Sequence, residues 1–119
     1  MTRIISANLN GIRSANTKGF FNWLATQNAD IVCVQELKAQ ADVVETAFAQ
    51  TTEHQGYFHY AEKKGYSGVG IYTRHTPDEV VAGFDGGEFD NEGRYVEARF
   101  GKLSVISVYC PSGSSSPER

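Results

Sequence analysis

Residues 31–38 read IVCVQELK, an apolar run that ends in an amide, a carboxylate and then a lysine. Val and Ile favour a pleated, packed surface, and the run is far too short for a membrane span, so it predicts a buried strand. In open α/β folds, ligands bind beyond the carboxyl ends of the strands. Glu36 therefore stands where an acidic side chain can do chemistry, although the octapeptide alone fits an ordinary solvated glutamate equally well.

The composition predicts one globular domain with a hydrophobic core: 119 residues, of which 40% are hydrophobic and 12% aromatic. A net charge of −3 gives no overall attraction to nucleic acid or anionic membrane, so a polyanion would be held by local cations or a metal. Cys33 and Cys110 lack zinc-site spacing and suit a reducing compartment. No signal-like or bilayer-length apolar segment is present, so we expect a cytoplasmic protein with no membrane partner.

The amino-terminal part of the chain has the pattern of a strand, a helix and a strand. β-Branched residues and a following Asn-Gly turn predict a strand over residues 3–8. Aromatic residues at helical spacing predict a helix over residues 17–27, and a second strand follows over residues 30–34. Such units form neighbouring parallel strands with a right-handed crossover, so we expect Asn8 and Glu36 to lie close together.

The remainder of the chain is predicted to be mostly strand. A weaker helical pattern covers residues 42–50, with Asp42 as the expected N-cap. The later segments alternate in the strand period and are separated by Gly-rich or polar turns, which predicts a β-meander in an α/β (α+β) fold. The predicted strands span residues 56–61, 68–73, 80–83, 94–100 and 103–109.

Three side chains at predicted strand ends are candidates for phosphate chemistry. Mg²⁺ takes hard oxygen ligands, keeps several waters and is often held by one or two carboxylates plus substrate phosphate, so Glu36 is sufficient to anchor it. Asn8 would orient Glu36 or a metal-bound water, with a plain turn residue as the alternative. Tyr109 ends the last strand, where its phenol would bond a phosphate oxygen or merely pack with its hydroxyl in water.

Five segments occur in order: IISANLNGIR at 4–13, VQELK at 34–38, GYSGV at 65–69, EGR at 92–94 and VYCP at 108–111. In this combination the chain resembles the exonuclease III family of apurinic/apyrimidinic endonucleases, in its bacterial style. Members of that family are much longer. Residues 1–119 are therefore predicted to be a single partial domain, the amino-terminal half of an endonuclease/exonuclease/phosphatase domain whose carboxy-terminal half is missing.

The resemblance implies a four-layered sandwich of the DNase I type, in which two similar halves pack sheet on sheet. It implies hydrolysis of phosphodiesters at abasic sites and 3′ ends of double-stranded DNA during base excision repair, with Mg²⁺ or Mn²⁺ as the cofactor. It assigns metal binding to Glu36 and Asn8, and it assigns catalysis to Asn8 and to Tyr109, which would contact the scissile phosphate. The positions that it places near DNA are Asn10, Arg13, Lys38, Gly65 and Tyr66.

The resemblance also shows what the chain lacks. The family's general base and phosphate-binding histidine come from later segments that do not occur here, and no role falls to the three histidines. The acidic stretch at 85–92 is predicted to be a solvated loop, because Gly87 and Phe89 stand where a calcium loop needs oxygen ligands. We therefore expect the complete domain to be the nuclease, and residues 1–119 alone to be inactive and poorly stable because a sheet face is exposed.

Two other classes of function stay open from the sequence. A related phosphoesterase acting on inositol phosphates or phospholipids would share the metal site, but other residues would replace Arg13 and the Gly65-Tyr66 pair. A non-catalytic DNA-binding or subunit-like module is the second alternative.

Overall fold

The computed structural model describes residues 2–51, 53–61, 67–82 and 95–109. Helices and strands alternate at first, and the later elements are all strands. The helices are α1 (Ile12–Thr17), α2 (Phe20–Leu24) and α3 (Ala41–Ala47). The strands are β1 (Ile4–Asn8), β2 (Ile31–Gln35), β3 (Gln55–His59), β4 (Val69–Thr73), β5 (Glu79–Ala82), β6 (Tyr95–Phe100) and β7 (Leu103–Val108).

The strands form two sheets. The first sheet has the order β1-β2-β4-β3, in which β1 and β2 are parallel and the other neighbours antiparallel. The second sheet is the antiparallel meander β5-β6-β7. The parallel pairing predicted for the first two strands is confirmed, and it sets Asn8 beside Gln35.

The meander predicted for the whole second half is wrong at one point. Strands β3 and β4 belong to the first sheet, and the chain passes to the second sheet only with β5. All five residues of β4 are buried. A strand that is buried on both faces needs a layer on each side: Tyr72 of β4 packs with residues of the helices, whereas Val69 and Ile71 pack with residues of the second sheet.

The first sheet is covered on both faces. Val32 and Val34 of β2 point into a cluster shared with the helices. Ile31 and Cys33 point the other way, into a cluster shared with residues of the second sheet such as Val96. This is the period of two that strand geometry imposes, and each fully buried aliphatic side chain contributes about 1.5–3 kcal/mol. Packing on both faces therefore explains why residues 31–34 are uninterrupted apolar sequence.

The helical region differs from the prediction in detail. The helix expected over residues 17–27 is interrupted at Gly19, whose φ of 92° is readily adopted by glycine. Helix α1 was not predicted, because its buried side chains are only Ile12 and Ala15, one turn apart.

Helix α3 begins one residue before the expected N-cap. Gln40 is the N-cap residue and makes no side-chain capping bond, so the prediction for Asp42 is wrong. Asp42 instead lies in the first turn, where a carboxylate interacts favourably with the helix dipole. Among the helices in the described ranges, none is long and apolar enough to cross a bilayer.

Candidate active site

Asn8 and Glu36 meet at the carboxyl ends of the parallel strands β1 and β2. The side-chain amide of Asn8 donates to Oε1 of Glu36 at 2.8 Å, so the predicted proximity is confirmed. The carbonyl oxygen of the same amide accepts the backbone N–H of Asn10 at 3.0 Å. Because only the oxygen can accept that bond, the nitrogen of Asn8 has to face the carboxylate. The arrangement makes Asn8 the residue that orients Glu36.

Lys38 adds a cation to the same corner. Its Nζ donates to Oδ1 of Asn10 at 2.5 Å and lies 3.7 Å from Oε2 of Glu36. The side chain of Lys38 is 44% exposed and that of Glu36 is 20% exposed. The carboxylate is thus held between an amide donor and an ammonium group, and it remains reachable from solvent. We call Asn8, Asn10, Glu36 and Lys38 the acidic corner.

The backbone of the acidic corner is strained and held from two sides. Glu36 and Lys38 have φ values of 53° and 52°. Such values are uncommon for residues other than glycine, cost about 1–3 kcal/mol each and cluster at functional sites. The carbonyl of Glu36 accepts the N–H of Gly11 at 2.8 Å, and the N–H of Lys38 donates to the carbonyl of Ser67 at 2.7 Å. These bonds keep the strained segment in place.

Gly68 contacts Leu37, the residue between Glu36 and Lys38. Its carbonyl accepts the N–H of Leu37 at 3.0 Å, its φ is 95°, and a Cβ at this position would lie 3.1 Å from Cβ of Leu37. The residue is buried and packs closely on Leu37. The two predicted DNA contacts Gly65 and Tyr66 lie outside the described residues.

The other predicted site residues lie on neighbouring elements. Arg13 is exposed on α1, directly after the loop whose Gly11 binds the backbone of Glu36. Tyr109 follows the end of β7, is partly buried and packs against the cluster between the two sheets. The structure thus assembles the acidic corner from four predicted residues and places Arg13 on an adjoining helix. It puts Tyr109 at the end of a strand in the other sheet.

Two polar residues of this region were not predicted as part of a site. Gln35, the last residue of β2, donates its side-chain amide to Oγ of Ser107 in β7 at 3.1 Å. Ser107 is 1% exposed and faces inward beside apolar residues. The sequence contained one indication of this contact. Ser107 lies at an inward-facing position of a predicted strand, and a buried hydroxyl needs a hydrogen-bond partner.

The donor set of the acidic corner fits Mg²⁺. In the part of the chain that the structure describes, no three His, Cys, Asp or Glu residues are grouped to hold a metal. Mg²⁺ does not need such a group, because one or two carboxylates with waters and substrate oxygens suffice. Glu36 supplies an accessible carboxylate, and the amides of Asn8 and Asn10 and the ammonium of Lys38 lie beside it. A carboxylate oxygen is the kind of ligand that a hard cation prefers.

The histidines have structural partners instead. Nε2 of His54 is 2.8 Å from the carbonyl of Ala29, and its other ring nitrogen is 2.8 Å from the hydroxyl of Thr51. Nδ1 of His59 lies 3.0 Å from the carbonyl of Tyr95. Through these contacts His54 and His59 connect segments that are distant in the chain.

Comparison with known proteins gives one consistent picture. Residues 5–119 match the model of the Endonuclease/Exonuclease/phosphatase family. The chain is 36% identical over 118 residues to an exodeoxyribonuclease of Bacillus subtilis, an alignment that covers 98% of this chain and 46% of that protein.

Solved structures show the same relationship. An AP endonuclease from Archaeoglobus fulgidus superposes with a TM-score of 0.80 at 31% identity, covering 95% of this chain and 42% of that one. A 3′-5′ exonuclease from Neisseria meningitidis gives 0.79 at 30% identity, covering 96% and 44%. The chain therefore spans less than half the length of each of these relatives.

The expected α/β class and the resemblance to the exonuclease III group are both confirmed by these matches. The matched family model covers nearly the whole chain, and the acidic corner lies within the matched residues. The chain belongs to the endonuclease/exonuclease/phosphatase family, as a segment similar to exodeoxyribonucleases and AP endonucleases.

Proposed function

We propose that the complete protein, of which this chain forms the amino-terminal half, is a Mg²⁺-dependent DNA repair nuclease. Its substrates would be phosphodiesters at abasic sites and 3′ ends of double-stranded DNA. The observation that carries the proposal is the 2.8 Å bond between Asn8 and Glu36 at the shared edge of two parallel strands. The named activities of the relatives, an exodeoxyribonuclease and an AP endonuclease, support the same substrate class.

Each residue of the acidic corner has a part in this chemistry. Glu36 would hold the metal, and Asn8 keeps the carboxylate oriented through its amide nitrogen. When bound, Mg²⁺ would neutralise charge on the phosphoryl oxygens and activate a water. Tyr109 would donate its phenolic proton in a hydrogen bond to a non-bridging phosphate oxygen. The general base would come from outside residues 1–119.

The cations of the region suit binding to a DNA backbone. Arg13 and Lys38 are both exposed, and Asn10 bonds Lys38 within the acidic corner. Phosphate contacts of this kind position a duplex without reading its sequence. Because the chain as a whole carries a net charge of −3, such local cations have to provide the attraction. We propose the same contribution for Gly65 and Tyr66.

The test of this proposal is the Glu36→Gln variant of the complete protein. We expect kcat for incision of an abasic-site duplex to fall by more than about 100-fold, because removal of a metal ligand exceeds the usual effect of its supporting residues. Mn²⁺ affinity, measured by electron paramagnetic resonance, should fall as well. A matched control is Glu53→Gln, which removes an exposed carboxylate that is also paired with a cation, Arg74, at 2.9 Å.

The same assay separates the alternatives. Unchanged incision by Glu36→Gln would remove this residue from the site. Release of phosphate from inositol phosphates, with abasic DNA left intact, would identify the protein as a small-molecule phosphoesterase. DNA binding without any metal-dependent cleavage would identify it as a binding module.

A further inference from the structure

Gln35 and Ser107 form a polar link between the two sheets beside the acidic corner. The amide nitrogen of Gln35 donates to Oγ of Ser107 at 3.1 Å and is 3.3 Å from Oγ of Ser6. The hydroxyl of Ser107 in turn donates to the carbonyl of Val34 at 2.8 Å. Ser107 is therefore a buried hydroxyl that both accepts and donates, and it contacts two successive residues of β2.

The position of this link in the chain relates it to the candidate catalytic groups. Gln35 immediately precedes Glu36. Ser107 precedes Tyr109 by two residues, the spacing that returns a side chain to the same face of a strand. Tyr109 packs against the cluster between the sheets, on the side to which Ser107 also points. The link thus joins the strand that carries the carboxylate to the strand that carries the phenol.

Further from the corner, the contacts between β2 and β7 are less directional. The thiol of Cys33 is 3.8 Å from the carbonyl of Ile106, and the residues of this cluster include apolar side chains such as Ile31 and Val105. Apolar packing favours burial but permits sliding, whereas hydrogen bonds have preferred lengths and angles. The bonds of Ser107 are therefore suited to set the position of β7 along β2.

We propose that Gln35 and Ser107 are positioning residues that set the Tyr109 phenol at its working distance from Glu36. The proposal rests on the proposed function, because it requires both groups to act on one phosphodiester. A displacement of about 1 Å in a catalytic group can lower the rate by about 100-fold, so a link of this kind affects turnover without touching the substrate.

The experiment measures kcat and KM of the complete protein on an abasic-site duplex. Ser107→Ala should lower kcat by about 10–100-fold, with KM changed by less than about 2-fold. Ser107→Thr keeps the hydroxyl and should recover most of the rate. Gln35→Met removes the amide donor at similar volume and should lower kcat to a similar extent. It tests the proposal if Ser107→Ala folds poorly.

A double-mutant cycle separates positioning from general destabilisation. If Ser107 acts through Tyr109, then Ser107→Ala should have no further effect on kcat once Tyr109→Phe has been made. The matched control is Cys33→Ala, which removes a buried contact between the same two strands further from the corner. It should lower the melting temperature and leave kcat unchanged.

Three kinetic outcomes would overturn the inference: a kcat for Ser107→Ala within about 2-fold of wild type, an equal loss of kcat in Cys33→Ala, or losses that multiply in the double variant. A wild-type protein that does not cleave the duplex would instead contradict the proposed function. Crystal structures of the wild type and Ser107→Ala then test the positioning by itself. An unchanged separation between the Tyr109 hydroxyl and the Glu36 carboxylate would refute it.

Discussion

At the scale of single residues, the acidic corner shows how a carboxylate is held in one orientation and left accessible to solvent. Glu36 accepts one hydrogen bond from Asn8 and faces the ammonium of Lys38, and part of its surface remains open. Both Glu36 and Lys38 accept an unfavourable φ to do so. Backbone strain at a site is retained when surrounding bonds determine the conformation, and the bonds from Gly11 and to Ser67 do this here.

Cys33 lies in β2, three residues before Glu36, and its thiol is buried, whereas the Glu36 carboxylate is accessible. Burial raises the pKa of its thiol to about 11. At pH 8 only about one thiol in a thousand is then a thiolate, the reactive form. We expect Cys33 to resist iodoacetamide in the native protein and to react after unfolding in urea, as measured by peptide mapping. Rapid labelling of the native protein at pH 8 would contradict the buried position.

At the scale of elements, the second sheet carries an ion-pair cluster on its outer face. Arg99 of β6 bonds Glu97 at 3.3 Å and Glu79 of β5 at 2.7 Å. The hydrogen bond from Arg99 holds the pKa of Glu97 below its ordinary value of 4.5. A carboxyl group whose pKa is lowered by folding stabilises the protein above its unfolded pKa, and this stabilisation is lost as the pH falls through the folded value.

The corresponding prediction concerns Glu97→Gln. Between pH 6 and pH 3, the urea midpoint of the wild type should fall more steeply than that of the variant, because the variant has no charge to lose at this position. The two midpoints should converge below pH 4.5, the ordinary pKa of this group, because the stabilisation from the charged carboxyl is lost there. Parallel curves for the two proteins over this range would show that Glu97 does not contribute to acid sensitivity.

The sequence predicts elements well where one physical cue dominates. The period of two and the turns locate the strands to within a few residues, and the β-α-β pattern brings Asn8 to Glu36. Prediction from the sequence fails where the pattern is short or where the contact joins residues that are far apart in the chain. Helix α1 buries apolar residues on a single turn only. Whether β5 pairs in the first or the second sheet depends on contacts between residues that are far apart in the chain. The bond between Gln35 and Ser107 joins strands of different sheets, and no local pattern reports such a contact.

At the scale of the whole molecule, strands β2 and β4 of the first sheet are buried on both faces, and the second sheet is open on one side. Apolar side chains are exposed on the outer face of the second sheet, where Ile106 and Val108 are 45% and 41% exposed. These side chains alternate along β7 with the buried Val105 and Ser107. Apolar surface of this kind favours association or coverage by further protein.

We expect purified residues 1–119 to be inactive in Mg²⁺-dependent cleavage of abasic DNA and to self-associate. Sedimentation should report species larger than the monomer, and replacement of Ile106 and Val108 by threonine should shift the distribution toward the monomer because it removes exposed apolar surface. Robust metal-dependent cleavage by the isolated chain would contradict the view that half of the catalytic set lies elsewhere.

The backbone hydrogen bonds from Leu37 and Lys38 can form only after a later part of the chain has been synthesised. Leu37 and Lys38 emerge from the ribosome well before Gly68 and Ser67, the residues whose carbonyls receive their N–H groups. Until then nothing holds the strained conformation of this segment from that side. A nascent chain therefore contains the Glu36 carboxylate well before the bonds from Leu37 and Lys38 can fix the backbone beside it.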